Sequence, residues 1–344
     1  ISTVFEHYNY SFFPIKIITK TNFFYLSKFN HSRIVSCILK MKRKSIRKFL
    51  HKDNDLKQST ICRAAEKDEL YTVYYLLLKK QKIDKGCFQD LQKMTRITIP
   101  PTTNSLCECC FYECKTLTKI AIPSSVTTIG DSSFRGCKSL IEIKLPFSLK
   151  SIGRYAFDGC SLLNEMIIPS SVTFIGECAF YGCSSLSHVS IPSSLSIIHN
   201  HSFHSCLSLK RMEIPTSITM IERSSFKSCM SLIEITIPPS IRSILKGTFC
   251  ECSSLTQIFD QNELTSLEFI DKSLCNRCSS LKKVIIPSSV TSIKNNSFFL
   301  CILLTQITIP SSVTSIGDNA FYGCSSLTQI SFEMPSSLTS LGNH

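Results

Sequence analysis

The chain has 344 residues, with 38 Lys and Arg against 25 Asp and Glu, a formal net charge of +13. Hydrophobic residues make up 43% while Gly (11) and Pro (13) are sparse, which excludes a disordered, collagen-like or linker-dominated chain. The charge is uneven: residues 1–90 hold 18 basic and 8 acidic side chains and one proline, and the remainder 20 basic, 17 acidic and twelve prolines, so two regions of different physics meet near residue 90.

The amino-terminal region, 1–90, is basic and reads as helical over 31–85, with few breakers and apolar spacing such as Ile34, Cys37, Ile38 and Met41. Its first 30 residues are aromatic-rich but interrupted by Glu6, Lys16, Lys20 and Lys28, and lack the pattern of a signal peptide. No run approaches the roughly 18–20 apolar residues of a membrane helix, so no membrane insertion is expected. The chain opens on Ile1 and ends at His344 partway through a repeat, which reads as a piece of a longer frame. Lys40–Lys48 is a basic run, read as the solvated face of a helix rather than a nuclear address or anionic-surface patch. Residues 59–84, with Ala64, Ala65, Leu70, Val73, Leu76 and Leu77 at helix-packing positions, resemble one ankyrin repeat. Ser59, Cys62 and Asp68 depart from that motif, and one repeat is fewer than the three or so an array needs.

Beyond residue 90 a 23-residue period takes over. Proline recurs at 100, 123, 146, 169, 192, 215 and 238, then at 287 and 310. Cysteine keeps the same step at 114, 137, 160, 183, 206, 229 and 252, then at 278, 301 and 324. Phe stands three residues before nine of these ten cysteines and Leu three residues after all of them. In the unit 304–324, Ile307 and Ile309 alternate with Gln306 and Thr308, which is strand spacing. Pro310 then ends the strand, Val313 and Ile316 mark a second short segment, and Gly317-Asp318 a turn. Such a unit buries eight apolar side chains only when stacked on copies of itself. About eleven coils at ~4.8 Å predict a β-rich solenoid on the order of 50 Å long. With the helical region before it, the fold class is an α+β repeat protein.

Each strand presents two outward side chains, so the coils together form a strip of mixed charge and partly apolar character. That suits a protein ligand better than a polyanion, which calls for one sign of charge. The motif at 309–327, Ile-Pro-Ser-Ser-Val-Thr-Ser-Ile-Gly-Asp-Asn-Ala-Phe-Tyr-Gly-Cys-Ser-Ser-Leu, resembles the BspA-like leucine-rich repeat family, and the resemblance covers roughly 91–344. It implies a repeat horseshoe or rod at a cell surface that binds proteins, host or matrix components among them, in adhesion. The charged and aromatic positions beside the irregular coil, Arg211, Glu213, Glu234, Phe259, Lys283 and Ile285, are the expected ligand patch. The alternative is an intracellular scaffold joining an ankyrin-like cap to the leucine-rich array, which the lack of a signal peptide and the many thiols favour.

Two coils depart from the pattern. The coil around 259–278, a step of 26 residues from Cys252 to Cys278, lacks its proline and places Cys275 where Phe belongs, so a bulge or kink is expected there. The first coil, Leu91–Cys114, is degraded and carries Cys107, Cys109 and Cys110. The ladder cysteines read as small buried hydrophobes; side chains running parallel down a stack do not suit the disulfide dihedral of about 90°. Cys107–Cys114 and Cys275-x-x-Cys278 each offer half a zinc site and share ladder residues, and His199, His201 and His204 read as a polar turn rather than a metal site. Sequons stand at Asn9, Asn30, Asn200 and Asn295. No phosphate loop, HExxH or G-x-S-x-G motif is present, so no catalysis, cofactor, metal or nucleic-acid partner is expected.

Overall fold

The structure, a computed structural model, describes residues 81–259 and 266–343. The chain divides into compact units at 1–60 and 61–344, and all described residues belong to the second. The ankyrin-like reading at 59–80, the basic run 40–48 and most of the helical reading over 31–85 lie outside the described residues.

One part of the helical expectation is corrected. Lys82–Ile83 is a strand, paired in parallel with Ser105–Leu106. Ile83, Cys87 and Phe88 are fully buried, and Leu91 and Met94 nearly so. The register shows why: Phe88, Leu91 and Met94 occupy the positions of Phe111, Cys114 and Leu117, so the stack reaches back to residue 82. Hydrogen bonds and apolar cover from the next coil override local helix propensity. The described residues contain no helix, hence none long and apolar enough to cross a membrane.

Each coil carries three hydrogen-bonded features in the same order. The first is a long strand, such as Lys119–Ala121, Glu142–Lys144 or Arg211–Glu213, with a buried centre (Ile120, Ile143, Met212) between outward neighbours. It is closed by the proline carbonyl, which accepts the N–H three residues on: Val126 to Pro123 at 3.0 Å, Leu149 to Pro146 at 3.0 Å. The second is a short strand, such as Thr128–Ile129 or Ser151–Ile152. The third is a turn carrying the Phe and Cys. Both strand types pair in parallel with register fixed residue for residue, Arg211 to Glu234 and Thr128 to Ser151.

In the turn, N–H groups donate forward: Phe111 to Ser133, Phe134 to Ala156 and Phe157 to Ala179, all 2.8 Å. Inside it the phenylalanines form a column from Phe88 to Phe249, ring centroids 5.2–5.9 Å apart and planes 3–13° from parallel. Beside them each ladder thiol donates to a carbonyl of the preceding coil, Cys137 to Phe111 at 3.1 Å and Cys160 to Phe134 at 3.1 Å. That carbonyl already accepts its own coil's cysteine N–H (Cys114 to Phe111, 3.2 Å), so the thiol fills its second lone pair. A small apolar side chain with one weak donor meets both needs. The described cysteines are free thiols. Burial pushes the Cys137, Cys160, Cys206 and Cys252 thiols up, and Cys229 to about 12.

The irregular coil interrupts the short-strand ladder but not the turn, while the long-strand ladder opens there and also between Glu142–Lys144 and Glu165–Ile167 and between His188–Ser190 and Arg211–Glu213. The short strand Phe269–Ile270 pairs with Ser292–Ile293 and not with Ser243–Ile244. Yet Gly247 donates to Lys272 (3.0 Å), Phe249 to Leu274 (2.9 Å) and Glu251 to Asn276 (2.7 Å). The irregularity is therefore absorbed on the strand side. Cys275 breaks the aromatic column, and Leu274, fully buried where other coils carry Ala156, Ala179 or Ser133, supplies the lost volume.

The short-strand ladder also opens between Phe174–Ile175 and Ile197–Ile198. In the coils before it a glycine follows the short strand, and a Cβ on Gly153 would lie 2.5 Å from the Asp131 nitrogen, one on Gly176 2.5 Å from the Arg154 nitrogen. His199 holds that position in the next coil, yet Glu222 and Leu245, equivalent to it, keep the bond (Glu222 N–H to Ile198 at 2.9 Å, Leu245 N–H to Ile221 at 2.9 Å), so a side chain there does not by itself open the ladder.

Candidate binding surface

The outward positions of the long strands form one strip, and the constancy of the inward positions is what exposes it. Ile97, Ile120, Ile143, Met166, Val189, Met212, Ile235 and Ile258 are all buried. The side chains flanking them change in charge, size and polarity from coil to coil.

Of the six residues expected as a patch, five stand on this strip. Arg211 and Glu213 are exposed on Arg211–Glu213, and Glu234, half-buried on the neighbouring strand, approaches Arg211 to 3.8 Å. Lys283 is exposed and Ile285 half-buried on Lys283–Ile285. Phe259 is corrected: it is 4% exposed, beyond the end of Gln257–Ile258, with a left-handed φ of 60°. The strand ends one residue early in this prolineless coil, and the left-handed turn carries the ring into the core instead of onto the strip.

The larger apolar features of the strip lie elsewhere. Phe147, 87% exposed, follows Pro146, and Ile167, 62% exposed, stands on Glu165–Ile167 in the next coil. Ile141 and Leu162 lie exposed at the entry to the same two strands. Glu142 and Lys144 between them form an ion pair at 3.5 Å. The signal was in the repeat itself: the position of Phe147 is Ser124, Ser170, Ser193 and Ser311 in other coils, and that of Ile167 is Thr98, Ser190, Thr236 and Thr308.

The His201 and His204 rings lie 5.5 Å apart, but the three histidines do not converge on one point. His199 Nδ1 lies 3.3 Å from Glu222 Oε2, His204 stacks on Tyr181 with centroids 4.6 Å apart, and His201 Nδ1 is buried without a partner. Burial, then the neighbouring charges of His201 and Lys227, lower His204 to about 4. Among the described residues no group of three or more His, Cys, Asp or Glu is placed to hold a metal ion. The side chains of two sequons are already engaged: Asn200 Oδ1 accepts the Arg223 N–H at 3.1 Å, and Asn295 Nδ2 donates to Asp318 at 3.2 Å.

Comparison with known proteins fits this geometry. The model of the BspA type leucine rich repeat region matches at 75–187, 175–269 and 268–344, in six copies. A leucine-rich repeat protein from Bacteroides ovatus ATCC 8483 is similar, with TM-score 0.60 and 33% identity over 76% of this chain and 78% of that one. A leucine rich cell surface protein from Faecalibacterium prausnitzii A2-165 gives TM-score 0.49 and 26% identity over 75% and 80%. No curated protein matches the sequence.

Proposed function

Because the chain belongs to the BspA-type leucine-rich repeat family, we propose that it is a non-catalytic recognition protein, binding a protein ligand across the outward face of its long strands in adhesion at a cell surface. The observation that carries this reading is the contrast within each strand, a constant buried centre between variable exposed flanks. The fold fixes the first; nothing in the fold requires the second. Phe147 and Ile167 supply apolar anchors of the kind that dominate protein interfaces, and the Glu142–Lys144 and Arg211–Glu234 pairs a polar surround. A strip of both signs suits a folded partner rather than a uniform polyanion.

Binding of the full chain to a panel of purified extracellular-matrix glycoproteins tests the proposal. At least one member is expected to bind, and Ile167→Asp to weaken it at least tenfold, the scale of a central hot spot worth about 2 kcal/mol. Ile302→Asp, an equally apolar change off the strip, is the control. No binding to any member, or equal losses from both variants, counts against the reading.

A further inference from the structure

Ion pairs between coils mostly follow a rule. Lys85–Glu108 (2.9 Å), Arg135–Asp158 (2.8 Å), Arg211–Glu234 (3.8 Å) and Asp271–Lys294 (3.3 Å) each join equivalent positions of adjacent coils. Stacking sets identical positions about 4.8 Å apart, so a charge is best placed above its opposite. The column just after the short strands begins this way, with Asp131, Arg154 and Glu177. It then breaks the rule with Arg223, Lys246 and Lys272, three exposed cations in succession.

Their stacking is secured by the backbone. Ser224 N–H donates to the Lys246 carbonyl at 3.1 Å and Gly247 N–H to the Lys272 carbonyl at 3.0 Å, so the three stand one coil apart. None of them forms an ion pair among the described residues. The nearby carboxylates are engaged by other groups: Glu222 by His199 (3.3 Å) and the Asn200 N–H (3.0 Å), Glu251 by Ser228 (2.7 Å) and Lys227 (3.9 Å), and Asp271 by Lys294 (3.3 Å). Like charges in register destabilise a stack, and among the described residues no carboxylate pairs with these.

We propose that Arg223, Lys246 and Lys272 form an edge that docks a sulfated polysaccharide, separate from the long-strand strip. The adjoining positions are Ser224, Gly247 and Ser273, which offer no aromatic face for bases to stack on, as single-stranded nucleic acid would use. An extended acidic peptide presents carboxylates on one side every second residue, about 6.8 Å apart, out of step with the ~4.8 Å ladder. A sulfated polysaccharide carries closely spaced anions with no bases to accommodate.

The experiment measures affinity of the full chain for heparin between 50 and 200 mM salt. It compares R223Q/K246Q/K272Q with K93Q/K138Q/K150Q, an equal loss of charge at scattered exposed lysines. The basic residues of 1–90 are common to both and cancel. At about 0.7–0.9 per contacted charge, the ladder variant is expected to lower the slope of log affinity against log salt by about 2. The scattered variant changes it by less than half as much, and desulfated heparin shows no difference between the two. Equal losses from both variants overturn the proposal by reducing the effect to net charge. A loss on poly-dT as large as on heparin overturns it in favour of nucleic acid.

Discussion

Replacing Phe157 tests whether the core is held by filled volume at each level of the stack. Its ring is fully buried between Phe134 (5.3 Å, 3°) and Phe180 (5.4 Å, 4°). Truncating a buried Phe costs about 3–5 kcal/mol, and the two ring contacts, worth ~0.5–1.5 kcal/mol each, are part of that loss. Phe157→Cys is therefore expected to destabilise by about 3–4 kcal/mol. The irregular coil shows how the same loss is offset, since Cys275 follows a fully buried Leu274. The equivalent preceding residue here is Ala156, also fully buried. Adding Ala156→Leu buries a side chain worth about 1.5–3 kcal/mol, less some repacking strain, so the double variant should recover about 1–2 kcal/mol. Urea unfolding midpoints of the wild type, both single variants and the double complete the cycle. Hydrogen exchange at the Phe134 and Phe157 amides, which donate to Ala156 and Ala179, reports the same level of the stack locally. If the double variant is no more stable than Phe157→Cys, volume compensation is not how the irregular coil holds, and the reasoning fails.

Two glycines of one coil should respond to alanine for different reasons. Gly159 has a φ of +70° and room for a Cβ, its nearest atom the Gly136 Cα at 3.8 Å, so Gly159→Ala costs about 1 kcal/mol of backbone strain and leaves the ladders intact. Gly153→Ala drives a Cβ to 2.5 Å from the Asp131 nitrogen; it should cost more and weaken protection of the residue 153 amide, which donates to Ile129, in hydrogen exchange. His204, lowered to about 4 by burial and by His201 and Lys227, is neutral in the fold and takes up a proton on unfolding. Stability from this group is present above the unfolded value near 6.5 and is lost as pH falls from there toward 4. His204→Phe should flatten the unfolding midpoint across that window, and an unchanged slope would place the dependence elsewhere.

The repeat was legible because a solenoid writes its packing rule once per coil. Ile307, Pro310, Ile316, Phe321 and Cys324 recur because every copy faces the same neighbours, so buried thiols and strand spacing could be read without coordinates. Where a position has no counterpart the reading weakened. Ile83 was assigned to a helix because no local pattern discloses a partner 23 residues on. Phe259 was placed on the strip because strand alternation was carried one residue past the strand's end. Leu274 gave no sign of replacing a ring, since that exchange crosses between two positions of the motif.

Taken alone, the sequence determined the period, the residues that face inward and the family, all of which follow from side-chain pattern along one coil. Only the tertiary structure decided which side chains become vertical neighbours and what those neighbours lack. Exposed Phe147 and Ile167 on one face, and a run of like charges at Arg223, Lys246 and Lys272 on another edge, exist because stacking brings positions some 23 residues apart to within a strand spacing.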